Sequence, residues 1–350
     1  MSNKMSKLDK CKRRCCNKPL SKFDPDHKCC CAPRGKETAT LPVTYNDVVV
    51  DRTFPADDST ITLNVVNTPL HEDAQDVLFI HGYPHSWLSW KNVLGSELAD
   101  KYNLYAMDIR GFGQSDNPGS GAPVACPVGG NDVWNIDTLA RDIAAVITQL
   151  GLDRPILVAE SLGVTLVADF LRVYGDQGLG GVGGDCSTPT TGPAIGGIVL
   201  VGGFPVADPV WFSAATVALV VSGGFFTDEF TRLFPTVQAF ANLSTYCKLH
   251  REDAEEVVMY DVSNSVASRA GILSIPVPAD ANVPVWNSVT VPALVLFGDK
   301  DAVIKRAAAT TLAGLIPNSE LIFIECAGHL PQYDEPKKVN RLLERFIESV

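Results

Sequence analysis

The 350-residue chain has no apolar stretch near the ~20 residues a helix needs to cross a bilayer; its run Ala214 to Val221 covers only eight positions. No apolar segment stands beside the N-terminal charges either, so no secretory signal is expected. Internal repeats and a second catalytic unit are missing, and the cysteine spacing fits no common zinc pattern. Positive charge is scarce outside the first forty residues. Those residues hold eleven Lys or Arg against four Asp or Glu, so in a chain of net charge −11 the remainder carries −18. An acidic body of this kind excludes nucleic acid as the main partner.

Six of the ten cysteines, Cys11, Cys15, Cys16, Cys29, Cys30 and Cys31, lie in that basic N-terminal segment. Residues 1–40 read as a solvated, disordered, Cys-rich tail. A disulfide framework does not suit the reducing compartment implied by the missing signal. Basic residues beside clustered thiols also suit lipidation and contact with an anionic membrane surface. Zinc held by these thiols and His27 is the lesser alternative. The expected location is cytoplasmic, with the tail cysteines as the route to any membrane association.

What is present is a set of short apolar runs. Val77 to Ile80, Ile156 to Val158, Ile198 to Val201, Ala293 to Phe297 and Leu321 to Ile324 have the length and continuity of buried parallel strands. Two are followed at once by small residues and then by helix-like spacing. After Ile80 comes His81-Gly82-Tyr83-Pro84 and a helix expected over Ser89 to Tyr102. After Val158 comes Ala159-Glu160-Ser161-Leu162-Gly163, then apolar residues at helical spacing from Val164 to Leu171. A serine at such a junction must take a strained turn that pushes its hydroxyl out of the sheet, which demands small neighbours. The pattern is that of a nucleophile elbow, with Ala159 in place of the first glycine. The glycine-rich stretch Gly178 to Gly197 reads as a mobile surface insertion.

Four motifs occur in a telling order: His81-Gly82-Tyr83-Pro84; Asp108-Ile109-Arg110-Gly111-Phe112-Gly113-Gln114-Ser115; the Ser161 elbow; and Gly298-Asp299-Lys300-Asp301 followed by Gly328-His329. Together they make the chain, from about Val43 to its C-terminus, resemble the α/β-hydrolase superfamily. The resemblance implies a mostly parallel sheet flanked by helices, a core of residues 41–203 and 291–350, and a helical cap over 204–290. That cap stretch holds eleven aromatic residues between Phe204 and Trp286, suited to an apolar lid or to a self-packed subdomain. Gly223-Gly224 reads as a hinge or a helix break.

In that family the triad runs Ser, then acid, then His. The order selects His329, since His27, His71, His81 and His85 precede Ser161 and His250 precedes the strand expected to present the acid. Asp301 is the acid that the motif implies, with Asp299 and Asp208 as alternatives. Backbone amides of Tyr83 and Leu162 match the oxyanion-hole positions, and Asp108 and Arg110 match loop-bracing residues. The opening motif is closest to the epoxide hydrolase and haloalkane dehalogenase branches, which carry an aspartate nucleophile where this chain has serine. The expected activity is therefore acyl transfer to water from an ester, lactone or related apolar carbonyl substrate, with no cofactor and no metal. A cofactor-free perhydrolase, a carbon–carbon bond hydrolase, and a small-molecule receptor on the same fold remain open.

Overall fold

The computed structural model describes residues 41–350 apart from 55, 123–130, 184–188, 207, 248–257, 260 and 276–281. The basic tail expected over residues 1–40 lies outside the described residues. Eight strands, β1 (Thr44–Asp51), β2 (Thr60–Asn67), β3 (Asp76–Ile80), β4 (Asn103–Met107), β5 (Ile156–Glu160), β6 (Gly197–Val201), β7 (Ala293–Gly298) and β8 (Ser319–Ile324), form one sheet. Their order is β1-β2-β4-β3-β5-β6-β7-β8. β1 and β2 pair antiparallel, as do β2 and β4, and every pairing from β4 to β8 is parallel. Eight helices matter below: α1 (Ile136–Gln149), α2 (Leu162–Tyr174), α3 (Ala214–Val221), α4 (Phe230–Ser244), α5 (Val266–Leu273), α6 (Val283–Asn287), α7 (Arg306–Leu315) and α8 (Pro336–Ile347).

Strands β3 to β7 are buried at every position, which is why they read as unbroken apolar runs rather than alternating ones. Successive residues still face opposite sides, and the core divides accordingly. Leu78, Ile80, Leu157, Leu200 and Phe297 pack with α1, α2 and α7. Val77, Phe79, Val158, Val199 and Leu296 pack with α8 and the turns around Trp87 to Leu98. Both faces are covered, the arrangement expected of a parallel sheet.

Three local expectations change. Leu321 to Ile324 is not fully buried: β8 is the sheet's last strand, pairs only with β7, and is largely half-exposed. No continuous helix runs from Ser89 to Tyr102. Gly95 ends a one-turn helix at Lys91–Leu94, and Ser96 caps a separate 3-10 turn at Glu97–Asp100, its side chain accepting from the Leu98 amide. The glycine-rich stretch after α2, where described, is hydrogen-bonded onto that helix rather than free. The amides of Gly180, Gly181 and Gly183 donate to Tyr174, Val173 and Arg172 carbonyls, supplying partners to carbonyls the helix end leaves open.

Between β6 and β7 the chain runs through α3 to α6. Gly223, at φ 72°, follows the Ser222 cap of α3 and ends that helix. The aromatic residues of this stretch divide: Phe204, Phe225, Phe240 and Trp286 are buried, whereas Phe226, Phe230 and Tyr246 are exposed. Phe225 and Phe240 belong to the same apolar cluster as the α2 side of the sheet.

Candidate active site

Ser161 stands between β5 and α2 with φ 52° and ψ −115°, a left-handed conformation that costs a non-glycine residue on the order of 1–3 kcal/mol. Close packing enforces it. A Cβ on Gly163 would lie 2.8 Å from the carbonyl oxygens of Ile80 and His81, and a Cβ on Gly82 would lie 2.8 Å from Ser161 Cβ. Only glycine lets the elbow, the start of α2 and the loop after β3 meet this closely. Ala159, on the strand side, is buried in the core cluster, where its methyl is accommodated.

The Ser161 hydroxyl donates to His329 Nε2 at 2.8 Å, and His329 Nδ1 donates to Asp301 Oδ2 at 2.8 Å. These side chains come from the ends of β5, β8 and β7, and His329 and Asp301 are each 1% exposed. Asp301 is itself fixed, because its other oxygen accepts the amides of Val303 and Ile304, both at 2.8 Å. The alternative acids are engaged elsewhere. Asp299 accepts from the Cys326 amide and pairs with Lys300, and Asp208 caps the Pro209–Trp211 turn by accepting from Val210. Burial alone would lower the His329 pKa, but the Asp301 charge and hydrogen bond, helped by Glu160, outweigh it and leave the imidazole above its ordinary value.

The loop after β3 is pressed against this elbow. Leu162 is the first residue of α2, so its amide is among the donors that a helix start leaves unsatisfied. Tyr83 occupies the turn closed by the His85 amide donating to the Gly82 carbonyl. Two buried residues of the second motif brace the surroundings. Asp108 accepts from the Trp87 amide (2.7 Å), the Gln114 amide (2.9 Å) and Asn64 Nδ2 (2.8 Å); burial nevertheless pushes its carboxyl up to about 6. Arg110 makes a two-pronged pair with Asp142, 2.7 Å on each arm, and donates to the carbonyls of Asp51, Arg52 and Val133. His81 is a neutral brace. Burial holds its pKa down to about 3, Nδ1 donates to the Gly82 carbonyl at 2.8 Å, and Nε2 accepts from the Ile109 amide at 3.0 Å.

Comparison with known proteins gives the family and the fold. The profile of the "Alpha/beta hydrolase family" matches residues 77–342, most of the chain. The chain belongs to the alpha/beta hydrolase family. Among curated relatives of this family member, Epoxide hydrolase 3 of Xenopus tropicalis is 26% identical over 289 residues, covering 78% of the chain and 71% of that protein. Among solved structures, the esterase RhEst1 from Rhodococcus sp. ECU1013 superposes with a TM-score of 0.68 at 22% identity, covering 88% of the chain and 99% of its own. A bromoperoxidase from Bacillus anthracis does so with a TM-score of 0.66 at 19% identity, covering 87% and 100%. These likenesses between structures are likenesses of fold.

Several residues at the hydrolase-family site carry no sequence signal. Asp334 organises the His329 loop, its oxygens accepting from the amides of Gly328 (2.7 Å), Tyr246 (2.9 Å) and Cys247 (2.8 Å). Cys247, just past the end of α4, and Cys326, in the loop that carries His329, are each disulfide-bonded. Glu160, next to the serine, is wholly buried with Gln332 Nε2 donating to it at 3.4 Å. No group of three His, Cys, Asp or Glu side chains arranged for a metal ion occurs among the described residues, and no described helix is long and apolar enough to cross a membrane.

Proposed function

We propose that the chain is a serine hydrolase that cleaves a carboxylic ester, lactone or related carbonyl substrate through an acyl-enzyme. The observation that carries this reading is the Ser161–His329–Asp301 chain of two 2.8 Å hydrogen bonds at a left-handed elbow. Free serine is a weak nucleophile at neutral pH, so a base must take its proton during attack. His329 Nε2 is placed to do so. As Ser161 Oγ bonds to the carbonyl carbon, the proton passes to Nε2, and the carbonyl oxygen becomes an oxyanion that the Tyr83 and Leu162 amides receive. Collapse expels the leaving group, which takes the proton from His329. Water then repeats the sequence on the acyl-enzyme, with His329 again the base.

The relatives named as epoxide hydrolases do not transfer their reaction to this serine. Ring opening by Ser161 Oγ would leave an ether on the protein, with no acyl carbon for water to attack, so turnover would stop after one event. The helical stretch 204–290 acts in this reading as the cap over an apolar acyl pocket.

Treatment with a fluorophosphonate is expected to label Ser161 stoichiometrically, located by peptide mass, and to abolish hydrolysis of aryl esters. A folded chain whose Ser161 stays unlabelled under excess reagent would be an inert binding protein, and the proposal would fall. The pH profile gives a second check. Because His329 is raised above the ordinary ~6.5 of imidazole and must be neutral to accept the proton, kcat/KM is expected to fall as pH drops through a midpoint above that value. A midpoint clearly below it would contradict the role given to Asp301.

A further inference from the structure

The loop that presents Tyr83 is held from two sides. On the core side, His81 accepts from Ile109 and the Trp87 amide donates to Asp108. On the other side its partners come from the stretch between β6 and β7. Asn264 Nδ2 donates to the Pro84 carbonyl at 2.6 Å, and His85 Nδ1 donates to Asp261 Oδ1 at 3.2 Å. Asp261 and His85 are 1% and 3% exposed, and Asp261 and then Glu160 outweigh burial and lift the His85 pKa to about 9. The Tyr83 ring lies 5.6 Å from Phe225 of the same stretch. Asn264 is in turn fixed by the fully buried Arg269, which donates to the Asn264 carbonyl and to the Phe225 carbonyl. Its Oδ1 also accepts from the Gly113 amide at 3.2 Å.

We propose that Asp261 and Asn264 are positioning residues for the Tyr83 oxyanion donor, so that the helical stretch between β6 and β7 completes the oxyanion hole as well as covering it. The inference rests on the serine-hydrolase reading above. The two residues following the donor are gripped by two side chains spaced three apart in one short segment, and a peptide unit anchored at both flanks has little freedom to turn its N–H away. The Tyr83 N–H belongs to the Gly82–Tyr83 peptide, whose carbonyl accepts from the His85 amide at 3.0 Å, and the Pro84 carbonyl belongs, with that amide, to the Pro84–His85 peptide. Release of the Pro84 carbonyl loosens the Pro84–His85 peptide and its hold on the Gly82–Tyr83 one, which detunes the donor without removing it.

The test compares the native chain with Asn264→Ala and Asp261→Asn on short-chain aryl esters, and adds inhibition by phenylboronic acid, whose tetrahedral adduct on Ser161 occupies the oxyanion position. Each variant is expected to lose 10- to 100-fold in kcat, short of the ~10²–10³ for deleting a donor outright. KM should stay within about twofold and boronate affinity should weaken in step with kcat/KM. Asn264→Asp keeps the side-chain volume while removing the donor, and reads the same loss should Asn264→Ala fail to give a cooperative melting transition. Native kcat and boronate affinity in the folded variants would overturn the positioning role alone. Absence of Ser161-dependent turnover in the native chain would overturn the hydrolase reading and this inference with it.

Discussion

Asp301→Asn is expected to lower kcat by about 10⁴-fold while the protein remains folded. The native carboxylate can only accept hydrogen bonds, so it holds the imidazole proton on His329 Nδ1 and leaves the Nε2 lone pair facing the Ser161 hydroxyl. An asparagine can keep its oxygen on the Val303 and Ile304 amides, where Asp301 Oδ1 now sits. It then presents an NH₂ group to the ring. That donor selects the tautomer protonated on Nε2, which cannot take the serine proton. Loss of the negative charge also removes a contribution that raises the His329 pKa, so residual activity should titrate at lower pH than the native enzyme. Steady-state kinetics across pH, with a melting curve to establish folding, reads both effects. Activity within tenfold of native would mean that Asp301 does not orient the ring.

The second large effect is on stability. Arg110→Met is expected to cost about 3–5 kcal/mol of unfolding free energy, read by urea denaturation. The guanidinium and Asp142 are both buried and pair at 2.7 Å on two arms. Removing the cation strands a carboxylate that burial already pushes above its usual range, and it leaves the carbonyls of Asp51, Arg52 and Val133 without their donor. Replacing both partners by apolar residues of similar size, Arg110→Met with Asp142→Leu, is expected to recover much of the loss, since no unpaired charge remains. A single variant within 1 kcal/mol of native would show that the pair is not the brace its geometry suggests.

Much of the frame was legible in the chain itself. Continuous apolar runs at Val77, Ile156, Ile198 and Ala293 indicate buried parallel strands because a sheet covered on both faces needs apolar residues at every position. The pattern around Ser161 indicates a tight strand-to-helix turn because a backbone approach this close excludes side chains. Burial of β8 was not legible, since an edge strand and a central one differ in their neighbours rather than in their residues. The helix expected from Ser89 broke at Gly95, where propensity over a window hid a single stop.

The residues around the reacting groups divide along the same line. Resemblance to the family, carried by motif and chain order, implied Ser161, His329 and Asp301, with Asp299 and Asp208 left as alternative acids. Asp261, Asn264 and Asp334 have no such signature, because each acts across more than a hundred residues or onto a loop from another element. Local sterics are written in neighbouring residues, so the sequence by itself determined five of the eight strands and the elbow, and the family resemblance supplied the candidates. Which of the candidate carboxylates meets the imidazole, and what holds the loop after β3, depends on side chains brought together by packing, and the tertiary structure decided it.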